Sequence, residues 1–137
     1  MLKTQLLHPE LLSLLASAGH GSQVLLADGN YPFATGARRE VPRVYLNLAP
    51  DLLRVTDVLG VLTAAIPIEA ACVMQPEGDA EPAIFNEFRA LLGGMRLAKL
   101  SRFEFYEAAH GKDLALVVAT GESRVYANLL LTLGVVS

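Results

Sequence analysis

Cysteine is nearly missing from this chain. Cys72 is the only one in 137 residues, which excludes an internal disulfide and any cysteine-based metal cluster and suits a reducing compartment. Long apolar runs are missing as well. The longest stretches free of Asp, Glu, Lys, Arg and His, Val58 to Ile68 and Val125 to Ser137, fall short of the ~20 residues that span a bilayer. The N-terminus carries an early His8, Pro9 and Glu10 in place of a signal-peptide pattern, so the expected location is the cytoplasm, with no membrane partner. There is no basic run: the net charge is −3 with acids and bases scattered, which removes the electrostatic footprint of a nucleic-acid binder and makes a neutral small molecule the better partner. Neither G-x-x-x-x-G-K nor G-x-G-x-x-G after a strand occurs, so no nucleotide cofactor is expected. G-x-S-x-G and clustered histidine spacings such as H-x-x-x-H are absent too, which leaves a serine nucleophile or a zinc site without support.

What is present is apolar. Counted with glycine in place of tyrosine, about 58% of the residues are apolar, against ~45–50% in an average domain. A single domain over residues 1–137 cannot hide that surplus in its own core, so subunit contacts are expected. Periodicity and breakers place a short amphipathic helix over 9–18 and a strand from Gln23 to Ala27 that Asp28-Gly29-Asn30-Tyr31-Pro32 breaks. A short strand follows at Arg43 to Leu46. A helix is expected to start at Pro50-Asp51, with apolar residues at 52, 55, 58, 59 and 62. Next come a strand at Ala70 to Met74 with Glu69 at its mouth, a helix from Pro82 to about Leu92, and a weak strand at Arg96 to Leu100. Ser101-Arg102-Phe103-Glu104 has the form of a capping box for a helix ending near Ala109. Asp113 to Thr120 suits a central strand buried on both faces, Leu129 to Leu133 is the last strand, and Val135 and Val136 are expected near an interface or core. Helices alternating with strands predict an α/β fold of three layers, a central sheet covered by helices.

The polar residues beside these apolar strands are the candidates for chemistry: His20, Asp28, Glu69, Arg102, Tyr126 and Asn128. Histidine both donates and accepts a proton near neutrality, which makes His20 the leading acid–base group. Tyr126 and Asn128, two apart, share a side if their segment is extended. His8 is expected on the surface at a helix start, and His110 suits a helix C-terminus. Eight residue steps separate His20 from Asp28, up to ~26 Å along a straight strand, so the two need not touch, and if the strand between them is extended the two residues of one chain are expected to serve different pockets.

Five blocks in order carry a resemblance. Met1-Leu2-Lys3, Gly19-His20-Gly21 followed by Ala27-Asp28 and Pro32, Arg102 to Glu107, Ala119-Thr120-Gly121-Glu122, and Tyr126-Ala127-Asn128-Leu129 to Gly134-Val135 resemble the ribose pyranase and fucose mutarotase (RbsD/FucU) family from end to end. The resemblance implies an α/β fold in a ring-like, often decameric, homo-oligomer with sites shared between neighbouring subunits. It also implies cofactor-free interconversion of the ring forms or anomers of a monosaccharide. Carried over, His20 looks like the proton donor, Asp28 like a sugar-hydroxyl ligand, and Tyr126, Ala127 and Asn128 like the segment that holds the sugar. Arg102 stands where ribose pyranases have a histidine, and its Arg-Phe-Glu-Phe-Tyr-Glu block is similar to the fucose mutarotase branch. Ser22 departs from the acidic residue common in that branch, and Glu69 replaces a shorter acid as a candidate sugar ligand. Anomer exchange needs a proton to leave the anomeric hydroxyl and another to reach the ring oxygen; how His20 and Tyr126 divide these roles stays open at this level. The alternatives are a ribose-type pyranase and a sugar-binding, transport-associated module without turnover.

Overall fold

The computed structural model describes residues 1–137. Ten elements follow in order: α1 (Pro9–Ser17), β1 (Gln23–Ala27), β2 (Arg43–Tyr45), α2 (Val55–Thr63), β3 (Ile68–Met74), α3 (Ile84–Leu91), β4 (Leu97–Leu100), α4 (Arg102–Ala109), β5 (Leu114–Ala119) and β6 (Leu129–Leu133). The strands form one sheet in the order β2-β5-β1-β6-β3-β4. All neighbours are parallel except β6, which runs antiparallel to both β1 and β3. Five carboxyl ends and the start of β6 therefore share one edge of the sheet. The loop before β1, the start of β3 and the end of β6 share the other.

Strand alternation divides the core in two. Val24 and Leu26 of β1 pack with Leu11, Leu59, Leu62, Phe85 and Phe88 from α1, α2 and α3 on one face. Leu25 and Ala27 pack with Phe105 and Ala109 of α4 and with Tyr31, Ala37 and Val41 on the other. The expected three-layer arrangement is what the chain adopts. Phe85, Phe88 and Phe105 are fully buried, each contributing on the order of 2–3 kcal/mol of apolar burial. β5 lies between β1 and β2 and is buried along nearly its whole length, as its apolar run predicts. No helix is long and apolar enough to cross a membrane.

Two expectations need correction. The second helix starts at Val55, not at Pro50-Asp51. Asp51 has a φ of 64°, and its carboxylate accepts from the Ser123 N–H and hydroxyl at 3.0 and 2.8 Å instead of capping a helix. The N–H groups of Leu48 and Ala49 close a tight turn on the Leu52 carbonyl, and the helix begins only where Asp57 accepts from the Arg54 N–H at 2.9 Å. Glu69 is the second residue of β3 rather than a residue at its mouth, because pairing with β6 starts at Ile68. Val135 and Val136 lie outside the core and are exposed on the protomer.

Candidate functional site

At the shared carboxyl edge, Asp28 follows β1 and is buried. Its Oδ1 accepts from the Asn30 N–H at 3.0 Å and its Oδ2 from the Ala127 N–H at 3.2 Å. Its own N–H donates to Asn128 Oδ1 at 2.8 Å. Asn128 is buried too and spends its acceptor on that bond, which leaves its amide N–H groups for a ligand. Burial pushes the Asp28 carboxyl above the ordinary aspartate value of 3.8; the N–H groups of Asn30, Ala127 and Tyr31 pull the other way, and nearby Glu122 adds to the rise.

Arg102 reaches the same place from the first turn of α4. The helix starts there because Ser101 Oγ accepts from the Glu104 N–H at 3.3 Å while Glu104 accepts from the Ser101 N–H at 2.8 Å, the reciprocal capping box that the sequence predicts. The Arg102 Nε donates to Tyr106 Oη at 3.4 Å, one turn along, and the guanidinium carbon lies 5.6 Å from the centre of the Tyr106 ring and 5.8 Å from that of Phe103. Stacking on two rings holds the cation at the pocket wall.

Asp28, Arg102, Tyr126 and Asn128 line one cavity of about 200 Å³ together with Asn30, Tyr31, Met74, Tyr106 and Val125. A second cavity of about 440 Å³, lined also by Gln75, Lys99 and Phe103, opens beside it and shares Arg102 and Tyr126. Ala127 does not line either cavity: its side chain is fully buried and its N–H is spent on Asp28. Tyr126 and Asn128 meet the cavity for a reason other than the expected one. Tyr126 has a φ of 57°, so the segment is not extended and strand alternation does not apply; the left-handed residue turns the chain into the pocket.

Of the five lining residues that the sequence did not single out, three differ in the signal they carry. Tyr106 is four residues from Arg102 on a helix, a spacing that places both on one face. Met74 ends a strand at the crowded edge. Tyr31 is recognisable only in three dimensions: its hydroxyl donates to the Gly36 carbonyl at 2.7 Å, and its ring meets Tyr106 edge-on at 5.6 Å. A Cβ on Gly36 would run into that ring. Burial drives the Tyr31 phenol well above its ordinary pKa, so it serves as a wall.

His20 and Glu69 lie elsewhere. The Gly21 N–H donates to the Leu133 carbonyl, and the Gly134 N–H to that of Pro67, so both residues stand at the opposite edge of the sheet from Asp28. His20 Nε2 is 3.2 and 3.1 Å from the two Glu69 carboxylate oxygens. The side chains are 59% and 45% exposed, leaving the imidazole open to a molecule outside the chain. One chain thus brings Asp28, Arg102, Tyr126, Ala127 and Asn128 together and keeps His20 and Glu69 apart from them. His8 caps α1 through Nδ1, which accepts from the Leu11 N–H at 3.2 Å, and His110 sits at the C-terminus of α4 with Nδ1 2.7 Å from the Tyr106 carbonyl. No group of three or more His, Cys, Asp or Glu side chains is placed to hold a metal ion.

Comparison with known proteins identifies the fold. Residues 1–136 match the model of the RbsD / FucU transport protein family. A fucose mutarotase from Homo sapiens is 36% identical over 96% of this chain and 91% of its own length. A D-ribose pyranase from Symbiobacterium thermophilum is 34% identical over 98% of each. The solved structure of Bacillus subtilis RbsD complexed with D-ribose superposes with a TM-score of 0.86 over the whole of both chains at 27% identity. The edge-to-edge match in sequence and the shared six-stranded architecture place this chain in the RbsD/FucU family.

Proposed function

We propose that this chain is an isomerase of free monosaccharides, a mutarotase that interconverts the anomers or ring forms of L-fucose or a related aldose by acid–base ring opening and closure. The observation that carries it is the pairing of Asp28 and Asn128: a buried carboxylate with lone pairs to spare beside an amide with unspent N–H groups, facing a cavity of about 200 Å³. Sugar hydroxyls both donate and accept, and this pair answers both demands. Arg102 adds a cationic donor and Tyr126 a ring face and a phenol. In the reaction, a proton is delivered to the ring oxygen as the anomeric hydroxyl loses one; the C1–O5 bond breaks, the aldehyde rotates, and reclosure reverses both transfers, so nothing is consumed. His20 is assigned the proton donor, oriented by Glu69, and Tyr126 shares the second transfer.

For His20 to act, it comes from a neighbouring protomer. The opposite-edge position of His20 and Glu69, their exposure and the apolar surplus support a ring-like homo-oligomer, a decamer in this proposal, in which the His20–Glu69 pair of one copy completes the Asp28 pocket of the next. A reducing, cytoplasmic setting fits the lone Cys72. The Arg102 block supports fucose over ribose, while the close match to RbsD keeps pyranose–furanose exchange of ribose as the second reading. Saturation-transfer NMR on equilibrated L-fucose, L-galactose, L-rhamnose and D-ribose tests both. Accelerated anomer exchange that is greatest for L-fucose and lost in His20→Ala is expected; a preference for ribose moves the chain to the pyranase branch, and tight sugar binding with no acceleration reduces it to a binding module.

A further inference from the structure

The block Ala119-Thr120-Gly121-Glu122 contributes no side chain to the sugar cavity, yet it holds the only fully buried carboxylate apart from Asp28. Glu122 is wholly inaccessible. Its oxygens accept from the Val55 N–H at 3.2 Å, the Arg124 N–H at 3.2 Å, Arg124 Nε at 2.7 Å and Arg124 Nη2 at 3.1 Å, and its carbonyl accepts from the Gly29 N–H at 2.8 Å. Arg124 extends the network, with Nη1 on Glu87 of α3 and Nη2 3.4 Å from the Thr56 hydroxyl of α2.

The segment so anchored leads directly into Tyr126. It lies between β5 and β6 and has no ladder to hold it. The N–H of Glu122 donates to the Thr120 hydroxyl, that of Ser123 to Asp51, that of Arg124 to Glu122 and that of Ala127 to Asp28. The Thr120 and Gly121 N–H groups still donate to the Ala27 and Leu53 carbonyls, but these four donors from Glu122 onward are answered by side-chain oxygens, so beyond Gly121 the path of the chain is set largely by side-chain chemistry. Gly121 allows the approach, since a Cβ there would run into the Ala49 carbonyl. An apolar pair could fill the same space, but it would not fix directions; a guanidinium that donates through Nε and Nη2 to one buried carboxylate does.

We infer that Glu122 and Arg124 are positioning residues of the sugar site, holding residues 120–125 so that Tyr126 keeps its left-handed turn and Ala127 and Asn128 meet Asp28. This rests on the reading of Tyr126 to Asn128 as the sugar-holding segment. The test compares Arg124→Met, Arg124→Lys and Glu122→Gln with the parent, and uses Glu87→Gln as a control at the exposed end of the network. Two quantities are read: kcat/KM for L-fucose by exchange NMR, and the hydrogen-exchange protection of the Ala127 amide relative to that of the Val118 amide in β5. Arg124→Met is expected to lower kcat/KM at least tenfold, mostly through KM, and to strip protection from Ala127 while Val118 keeps its own. Arg124→Lys is expected to fall between Arg124→Met and the parent, and Glu87→Gln within twofold of the parent. A kcat/KM within twofold of the parent in Arg124→Met, unchanged Ala127 protection, or equal loss at Ala127 and Val118 overturns the inference. Should Glu122→Gln fail to fold, the two Arg124 variants decide. Should the parent accelerate no sugar, the functional proposal fails, and the Ala127 amide in Arg124→Met still decides this one.

Discussion

Asp28 is held in a protein environment that works against its charge. Burial raises its pKa above the ordinary 3.8, so between that value and the folded one the native state binds more protons than the unfolded chain. Its contribution to stability is therefore complete below 3.8 and is lost as pH rises through the folded pKa. At neutral pH the ionised carboxylate is a cost that the fold carries for the sake of a ligand. Urea unfolding of Asp28→Ala and the parent across the acid range should show the difference: the parent loses stability relative to the variant as pH rises through that window, and parallel curves would contradict the sign. In the exchange assay, Asp28→Asn should lose about 2 kcal/mol of transition-state stabilisation, roughly thirtyfold in kcat/KM, the size of a hydrogen bond to a charged group.

Helix α4 shows how an element sets a residue's address. Its reciprocal capping bonds between Ser101 and Glu104 start the helix at Arg102, and one turn later Tyr106 supplies the ring beneath the guanidinium. Ser101 accepts one of the helix's unpaired N–H groups, so Ser101→Ala should destabilise the fold by about 1 kcal/mol, measured by urea unfolding. It should also raise KM for the sugar, because a frayed first turn releases Arg102 from the pocket wall. An unchanged KM alongside the stability loss would mean that Arg102 is held by its rings alone. Strand β1 works in the opposite direction: it is so fully paired between β5 and β6 that it keeps the residues that flank it, His20 before and Asp28 after, separate.

At the scale of the whole molecule, that separation makes a prediction about assembly. If the proposed ring holds, a His20→Ala chain, inactive alone, and an Asp28→Asn chain, impaired about thirtyfold alone, should exceed their summed exchange activity when unfolded together and refolded as a mixture, because some interfaces then pair an intact His20 with an intact Asp28. No recovery in mixed oligomers would place both residues in independent roles. Light scattering belongs with this test: a mass near 14.7 kDa at micromolar concentration would remove the shared pocket altogether.

Local chemistry was sufficient for much of this protein. A short apolar run bounded by turn residues defined Gln23 to Ala27 as a strand to the residue, and the capping pair placed the start of α4, since both depend on neighbours within a few positions. The same blocks of residues identified the family and named the pocket residues Asp28, Arg102 and Asn128. Where local rules met a long-range partner, they failed. Pro50-Asp51 reads as a helix start, but Asp51 is claimed by Ser123, 72 positions away, and Tyr126 reads as extended until the side chains around Glu122 and Asp28 turn it. Tyr31 joins the wall only because α4 brings Tyr106 against it. Which residues share a pocket, and that His20 and Glu69 pair at the far edge, were decided by the order and direction of the strands. The antiparallel entry of β6 between β1 and β3 brings Asn128 to Asp28 and no periodicity within a single segment encodes that placement.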